Sequence, residues 1–490
     1  MSELNKTISP AALIAIGAAG VIGSSWLYLG SEFFSNFSVG GTIIGMIVAT
    51  ILSAFVALAY SELATRLPRA GGEVVYSFVA TNSLVSFIVG WLLIGAYVSI
   101  VAFYVTATGR LLSSVFPVLN SIPLYEIGGT TIFLPILLIG YALTLLILAL
   151  NWYGAEMSSK AQLVLFSIMA IFGVVVAFAG FLNGHVSNIF PLFDSELTGS
   201  GPIQSIFSFV LPAFSFLTGF GVVVIMAEEA RTSAKRIGQI VVLSVALAGA
   251  FYVLVLTATA WLFPWRETAA MTNGTIEAFD AAGMPIISGI AFGIGALGIA
   301  TTFIAVFSAS SRLMFALARV GLFPEIFSKL DPKTKTPRVA LIFTTVIGLS
   351  LGSLGPGALV WFLNTVGVYI GIVWAITVFA MFRVRKMHKK SELNPGFFMT
   401  VLPVIGATAA LGVVAAALIP TSPLALQWPF EYLILFAWVG LGIVMYKLSP
   451  KRFTKEEALQ ALLGKYYDEF GHNLAVESAS YAIRSQPNNG

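Results

Sequence analysis

Apolar runs long enough to be helical membrane spans recur from one end of the chain to the other, separated by short polar connections. A hydrocarbon core of about 30 Å needs about 20 apolar residues per helix. On that measure the spans fall approximately at residues 11–35, 40–65, 84–112, 131–150, 159–182, 204–228, 238–264, 286–318, 338–355, 358–382, 398–419 and 429–447. The expected fold class is an all-α membrane protein of about twelve transmembrane helices, with no large soluble domain left over. The segment before the first run, MSELNKTISP, has one lysine and no small-residue cleavage site, so no cleaved signal peptide is expected.

Composition strengthens the membrane reading. Of 490 residues 58% are hydrophobic and 10% charged, with a mean hydropathy of +0.93, whereas soluble domains carry roughly a quarter charged residues. The absence of cysteine excludes disulfides, thiol catalysis and cysteine metal sites, and leaves the redox compartment open. His185, His388 and His472 fall in expected loops or the tail, without a second ligand at metal-binding spacing, and read as solvated.

The net charge of +4 becomes informative only once the bases are placed. With a cytoplasmic N-terminus, the connections on that side hold Arg66 and Arg69, then Lys160, then Arg231, Lys235 and Arg236, then the run from Arg319 to Arg338. The next adds Arg383, Arg385, Lys386, Lys389 and Lys390, and the tail after residue 447 is basic too; the opposite side shows only Arg110 and Arg266. This positive-inside bias predicts cytoplasmic N- and C-termini in a multi-pass protein of the cell membrane. The bases then mark topology, and no nucleic acid is expected as a partner. The tail segment KEEALQALLGKYYDEF puts Leu459, Leu462, Leu463 and Tyr466 on one helical face. It reads as a short solvated or membrane-surface helix, with a regulatory role as the alternative. The closing SQPNNG reads as disordered.

Small residues interrupt two of the spans. The first contains Gly20, Val21, Ile22, Gly23, Ser24 and Ser25, where a helix can break. At bilayer depth a break is tolerated only where the freed backbone groups face protein or a water-filled cavity. Amides opening the second half, near Gly23, Ser24 and Ser25, suit a carboxylate, and carbonyls ending the first half suit an ammonium group. Glycine-mediated helix packing is the alternative. The sixth span repeats the feature at Phe214, Ser215, Phe216, Leu217, Thr218, Gly219, Phe220 and Gly221. Paired breaks at the start of two five-helix halves point to a midplane site in an inverted-repeat transporter. The expected organisation is a cytoplasmic N-terminus (1–10), a first repeat (11–182), a second repeat (204–382), two additional helices (398–447) and a cytoplasmic tail (448–490). The halves show no direct residue-level similarity.

Five ordered segments resemble the amino acid, polyamine and organocation permeases: GAAGVIGSSW at 17–26, AYSELATRLPRAGGEVVY at 59–76, NWYGAEMSSKAQ at 151–162, FSFLTGFGVVVIMAEEA at 214–230 and SASSRLMFALARVGLFP at 308–324. The second is the most specific. The resemblance implies the LeuT-type fold and secondary active transport, by symport or antiport, of an amino acid or related amine. It implies that the Val21 and Ile22 carbonyls hold the substrate amine, that Ser24 and Ser25 hold its carboxylate, and that carbonyls near Ser215 and Thr218 complete the amine site. The family's large aromatic gate falls on Ser215 here, which leaves Phe214 or Phe216 to shield the site. Position 25 is commonly glycine in the family, so a serine there narrows the pocket. Many relatives place a polar or acidic residue where this chain has Gly221.

A polyamine or cationic amino acid would want a carboxylate beside its extra ammonium, so the expected substrate is a neutral amino acid or small amine. A polyamine or cationic amino acid exchanger and a transporter-like nutrient sensor are the alternatives. A sensor often has a long cytoplasmic extension, whereas this tail has only about 40 residues. No cofactor is expected beyond a coupling ion, proton or sodium, and protein partners are not indicated. Some proton-coupled relatives have a lysine where this chain has Met169, and Lys160 lies too near the cytoplasmic end to replace it. Ser310 and Ser311, facing the first-span carbonyls near Gly20 and Gly23, form a candidate sodium site, with ordinary interhelical hydrogen bonding as the alternative. Glu62, Arg66, Glu228, Glu229 and Arg312 are expected near cytoplasmic helix ends, either as an inward gate or as interfacial charges. Tyr97 and Tyr104 are period-seven neighbours, and Tyr97 is expected to face the site or to pack. An enzyme is not expected, because the chain offers no histidine pair, no carboxylate pair at mid-membrane depth and no nucleotide loop. A channel would need a ring of like residues or a continuous polar pore.

Overall fold

The computed structural model describes residues 6–23, 25–387, 396–422, 424–450, 453–464 and 467. Ser24, His388, Lys389, Lys390, Tyr466 and His472 lie outside the described residues. Helices α1 (Pro10–Val21) and α2 (Ser25–Tyr28) form the first, broken span, and α3 (Gly30–Arg66) the second. Next come a connecting helix α4 (Glu73–Ala80), α5 (Ser83–Val115), a two-stranded hairpin of β1 (Pro123–Ile127) and β2 (Thr130–Phe133), α6 (Leu134–Trp152) and α7 (Ala155–Asn183). The second half runs through a short α8 (Ser195–Thr198), the interrupted span α9 (Pro202–Leu217) with α10 (Phe220–Ile225), α11 (Ala234–Leu262), and connecting helices α12 (Trp265–Ala269) and α13 (Gly274–Ala281). It ends with α14 (Pro285–Arg319), α15 (Arg338–Gly352) and α16 (Leu359–Met387), and α17 (Phe397–Leu418), α18 (Phe430–Leu448) and α19 (Lys455–Leu463) follow.

The order of lengths repeats between the halves: a broken span, a long helix, a connecting helical segment, a very long helix (33 and 35 residues), a short one (19 and 15) and a 29-residue one.

Eleven helices among the described residues are long and apolar enough to cross a bilayer. The ninth expected span, 338–355, is the 15-residue α15. At 1.5 Å per residue it reaches about 23 Å, short of a 30 Å core by itself. Residues 30–66 are two helical segments that meet at Ser38, whose angles (φ 57°, ψ 167°) are not helical, so a break does fall between the expected spans 11–35 and 40–65, with the first of those spans interrupted again after Val21 and at Leu29. The Ser38 hydroxyl accepts the Asp194 N–H (3.0 Å) and Gly40 N–H donates to the Leu192 carbonyl (2.7 Å), which ties the bend to the connection between the halves.

Burial sorts the helices into a centre and a rim. The most apolar windows of the two broken spans are 88% and 94% buried, against 28% for α6, α7 and α18, which present residues such as Leu145, Phe178 and Phe436 outward. A helix that is apolar on all sides and exposed at the rim matches lipid as its solvent.

The tail helix departs from expectation. Leu459, Leu462 and Leu463 are buried against protein, next to α4 and α14, and the Arg69 side chain donates to the Leu462 carbonyl at 2.7 Å. Its apolar face had a protein groove to fill in place of water or lipid.

Candidate functional site

The first span breaks where its glycines lie. Helix α1 ends at Val21, and Ile22 leaves the helical region (φ −80°, ψ 90°). The sixth span is interrupted at Thr218 and Gly219, within the expected stretch but more gently. Both residues keep near-helical angles, and the Gly221 and Val222 amides turn back to the Thr218 and Gly219 carbonyls (3.1 and 3.0 Å) in a tightened turn. Pro212 inside α9 removes one further helical donor.

The two interruptions touch backbone to backbone. A Cβ on Gly219 would sit 1.9 Å from the carbonyl carbon and oxygen of Gly20, and one on Gly20 would be 3.1 Å from the Gly219 oxygen. No side chain larger than hydrogen fits at 219 without separating the helices.

Three hydroxyls from three other helices meet the opened backbone. Tyr252 of α11 donates to the Val21 carbonyl (3.0 Å) and accepts the Gly23 N–H (2.8 Å), bridging the break. Thr302 of α14 donates to the Ala19 carbonyl (2.8 Å). The Tyr104 hydroxyl of α5 lies 2.6 Å from where a Cβ on Gly23 would be. These contacts satisfy polar groups that lipid could not. They also border a cavity of ≈ 20 Å³, room for about one water. Val21, Gly23, Tyr104, Ser215, Phe216 and Tyr252 are among its walls.

The expected site residues distribute unevenly around this cavity. Gly20, Val21, Gly23, Ser215 and Phe216 border it. Ser25 is buried at the start of α2, its hydroxyl beside that of Tyr252. Ser215 spends its hydroxyl on the Pro212 and Leu363 carbonyls (2.6 and 2.8 Å), and Thr218 on the Phe214 carbonyl (2.8 Å). Of the two aromatic candidates, Phe216 faces the cavity, its ring 5.6 Å from Tyr252, while Phe214 packs on Trp374 at 5.0 Å. On α5 it is Tyr104 that lines the cavity; the Tyr97 hydroxyl lies beside Gly221 and the Glu73 carboxylate. Ser310 pairs with Thr344 of α15 (3.0 Å), and Ser311 donates to the Ser308 carbonyl (2.7 Å) and accepts from Arg312 (3.0 Å). The α14 hydroxyl that reaches the break is Thr302. Met169 is buried against Thr301.

The face that carries the described ends of the chain, Lys6 and Tyr467, is closed by buried charge. Arg312 grips Glu229 with two nitrogens (2.9 and 3.3 Å), and Glu228 accepts from Ala70 N–H (3.1 Å) beside Arg319 and Arg69 (3.5 and 3.6 Å). The Thr7 and Ile8 amides both donate to the Glu229 carbonyl (3.0 Å), so the entry to α1 is strapped to the end of the sixth span. Glu62 and Arg66 stand apart from this network, pairing with each other (3.0 Å) and, through Glu62, with Arg385 (2.9 Å). On the opposite face Arg110 joins Glu32 (3.1 Å) and the Thr272 carbonyl (3.2 Å) at the edge of a wide cleft.

Residues 8–442 match the profile of a family described as amino acid permease. The chain is 27% identical over 467 residues to the branched-chain amino acid permease BcaP of Bacillus subtilis, covering 92% of this chain and 95% of that one. It is 25% identical to the methylthioribose transporter of the same organism, with 92% and 95% covered. It is 24% identical to cationic amino acid transporter 4 of Mus musculus, with 80% of this chain and 62% of that longer protein covered. These relatives are transporters, not enzymes.

Two substitutions test the geometry. Gly219→Ala forces the breaks apart, and an overpacking cost of about 1–3 kcal/mol should appear as a lowered melting temperature of the purified protein. Tyr252→Phe removes the bridging hydroxyl and leaves the Gly23 N–H only its 3.0 Å contact with the Val21 carbonyl, for which a loss of about 0.5–1.5 kcal/mol is expected. Chemical denaturation in detergent would measure it, and unchanged stability would show that the bridge holds nothing.

Proposed function

The chain belongs to the amino acid permease family, and on that premise we propose that it carries a neutral amino acid across the cell membrane by alternating access, binding it between the two broken spans. The observation that carries this reading is the cavity wall. Ile100, Phe103, Tyr104, Phe216, Tyr252 and Leu363 supply apolar and aromatic surface, and among the described residues no charged side chain borders the space. A zwitterion needs only backbone partners for its two charges, here the carbonyls around Val21 and the sixth-span turn for the ammonium and the amides after Gly23 for the carboxylate. An additional substrate charge would be left without a counter-ion at a high desolvation cost.

The present cavity admits about one water, so a solute of amino acid size enters by displacing its walls; Phe216, packed at the sixth-span turn, is the assigned cover. Release toward the termini requires parting the Arg312–Glu229 pair. That step hydrates both ions together and so avoids the 3–5 kcal/mol typical of stranding one buried charge (about that order in proteins). The lopsided placement of lysine and arginine supports a cytoplasmic location for this face.

Purified protein in liposomes tests the reading with labelled neutral, cationic and acidic amino acids and amines, under sodium, proton and counter-solute gradients. Uptake or exchange of apolar neutral amino acids is expected. Transport restricted to cationic solutes would replace the substrate class, and no transport of any solute would sink the proposal. Ser25→Leu fills the start of α2 and should abolish the thermal stabilisation produced by the transported amino acid. Retained stabilisation would remove the first-span break from the binding site.

A further inference from the structure

A buried carboxylate stands behind the sixth-span turn. Glu73 opens α4 immediately after Gly71 and Gly72, whose positive φ angles (90° and 33°) turn the chain against α10. The Gly71 N–H donates to the Ile225 carbonyl (3.3 Å), and a Cβ on Gly72 would strike Val224 at 2.7 Å, so the loop is pressed onto that helix. Glu73 is 1% exposed, and the polar side chains set against its carboxylate are phenol hydroxyls, with that of Tyr60 within hydrogen-bonding reach. One oxygen fills the space that a side chain at 221 would take, 2.7 Å from the Cβ position, with the Tyr97 hydroxyl 3.3 Å from the same point.

The groups facing Glu73 are neutral. Tyr60 of α3, Tyr97 of α5 and Tyr76 of α4 itself are the titratable groups around it, and α16 contributes Thr377 beside Tyr60. Tyr60 also packs edge-on against Phe220 of α10 at 5.0 Å. Neighbouring Arg312 and Arg319 of α14 and Arg69 of the loop, which also holds α19, are paired with Glu229 and Glu228. Among the described residues, no basic group forms an ion pair with Glu73. A lone carboxylate in such surroundings is costly as an anion. Glu73 lies on α4, between the spans, and burial raises its carboxyl to about 8.

We propose that Glu73 is a proton-carrying site of the transport cycle, holding a proton while the terminal face is closed and giving it to water when that face opens. The proposal rests on the transporter reading above. In the closed form α3, α5, α10 and α16 exclude water, and the neutral acid is the form that fits. Separation of α10 from α4 admits water; the carboxyl O–H bond breaks, the proton passes to solvent and the carboxylate is hydrated. The carboxylate takes up its next proton from water of the opposite face once the terminal face has closed and that face has opened, so each cycle carries one proton across with the solute. Tyr97 and Tyr104 share one face of α5 two turns apart, so the acid and the cavity lie about 10 Å from each other along a single helix. Opening at one is thereby mechanically linked to the other. The glycine at 221 is what makes room for this acid: an acidic group missing from the sixth span is supplied by the loop after the second.

The test compares the full-length protein with Glu73→Gln in liposomes, using a solute that the wild type exchanges. The wild type should accumulate it when the lumen is alkaline, up to about tenfold per pH unit for one proton per solute, since one unit is a factor of ten in proton activity. Glu73→Gln, a permanent mimic of the neutral acid, should keep solute-for-solute exchange and lose the pH-driven accumulation. Accumulation by the variant equal to wild type, or a wild type that exchanges but ignores the pH gradient, overturns the role of Glu73 alone. A wild type that exchanges nothing overturns the transporter reading and this proposal with it. Infrared difference spectra of the same preparations give a readout independent of transport: a protonated-carboxylic-acid carbonyl band at about pH 6 that fades toward about pH 9 and is missing from the variant. Its absence from wild type overturns the proposal as well.

Discussion

The contact between Gly20 and Gly219 is the constraint on which the centre of this molecule depends. Two helices can cross at backbone distance only where neither carries a side chain, and here a single added carbon at 219 would overlap the Gly20 carbonyl. With the chains this close, the first span opens at Ile22 and the sixth tightens at Thr218 and Gly219. Backbone groups opened at membrane depth must then find partners within the protein. Tyr252 and Thr302 provide them, and by doing so anchor α11 and α14 to the first span. The cavity is the space that this arrangement leaves.

Polarity is distributed by its cost. At the centre the protein uses hydroxyls and backbone groups, which are satisfied by single hydrogen bonds. Full charges are gathered where they can be paired: Glu228 and Glu229, adjacent in the chain, diverge toward different arginines and draw the loop, α14 and the N-terminal strap together. Glu73 is a departure from this pattern, a carboxyl group set among phenols with no cation paired to it, and it sits against the helix whose interruption forms the cavity.

Much of the fold was legible in the sequence because lipid imposes a simple pattern. Length and apolarity located the helices, and the glycine and serine runs located both interruptions, the first at 20–25 and the second at 218–219 within 215–221. Errors came where two explanations share one pattern. Tyr97 and Tyr104 share one face of α5, and only the packing of the other helices shows that the cavity lies at the height of Tyr104 and Glu73 at that of Tyr97. Ser310 and Ser311 read as ion ligands or, in the simpler reading, as packing hydroxyls, and the structure gives them Thr344, Ser308 and Arg312 as partners. The apolar stripe of the tail helix does not say whether lipid, water or protein covers it, and α4 and α14 do. Tyr252 carried no local signal at all, being one of 15 tyrosines and 231 residues from the carbonyl it caps.

The sequence by itself determined that the chain is a bundle of membrane helices with two weak points, because hydropathy and helix-breaking composition are local properties that survive without knowledge of neighbours. Only the tertiary structure decided what lies at those weak points. The bridge from Tyr252, the approach of Gly20 to Gly219 and the entry of Glu73 into the space beside Gly221 are relations between segments far apart in the chain, set by how rigid helices pack, and no single segment encodes them.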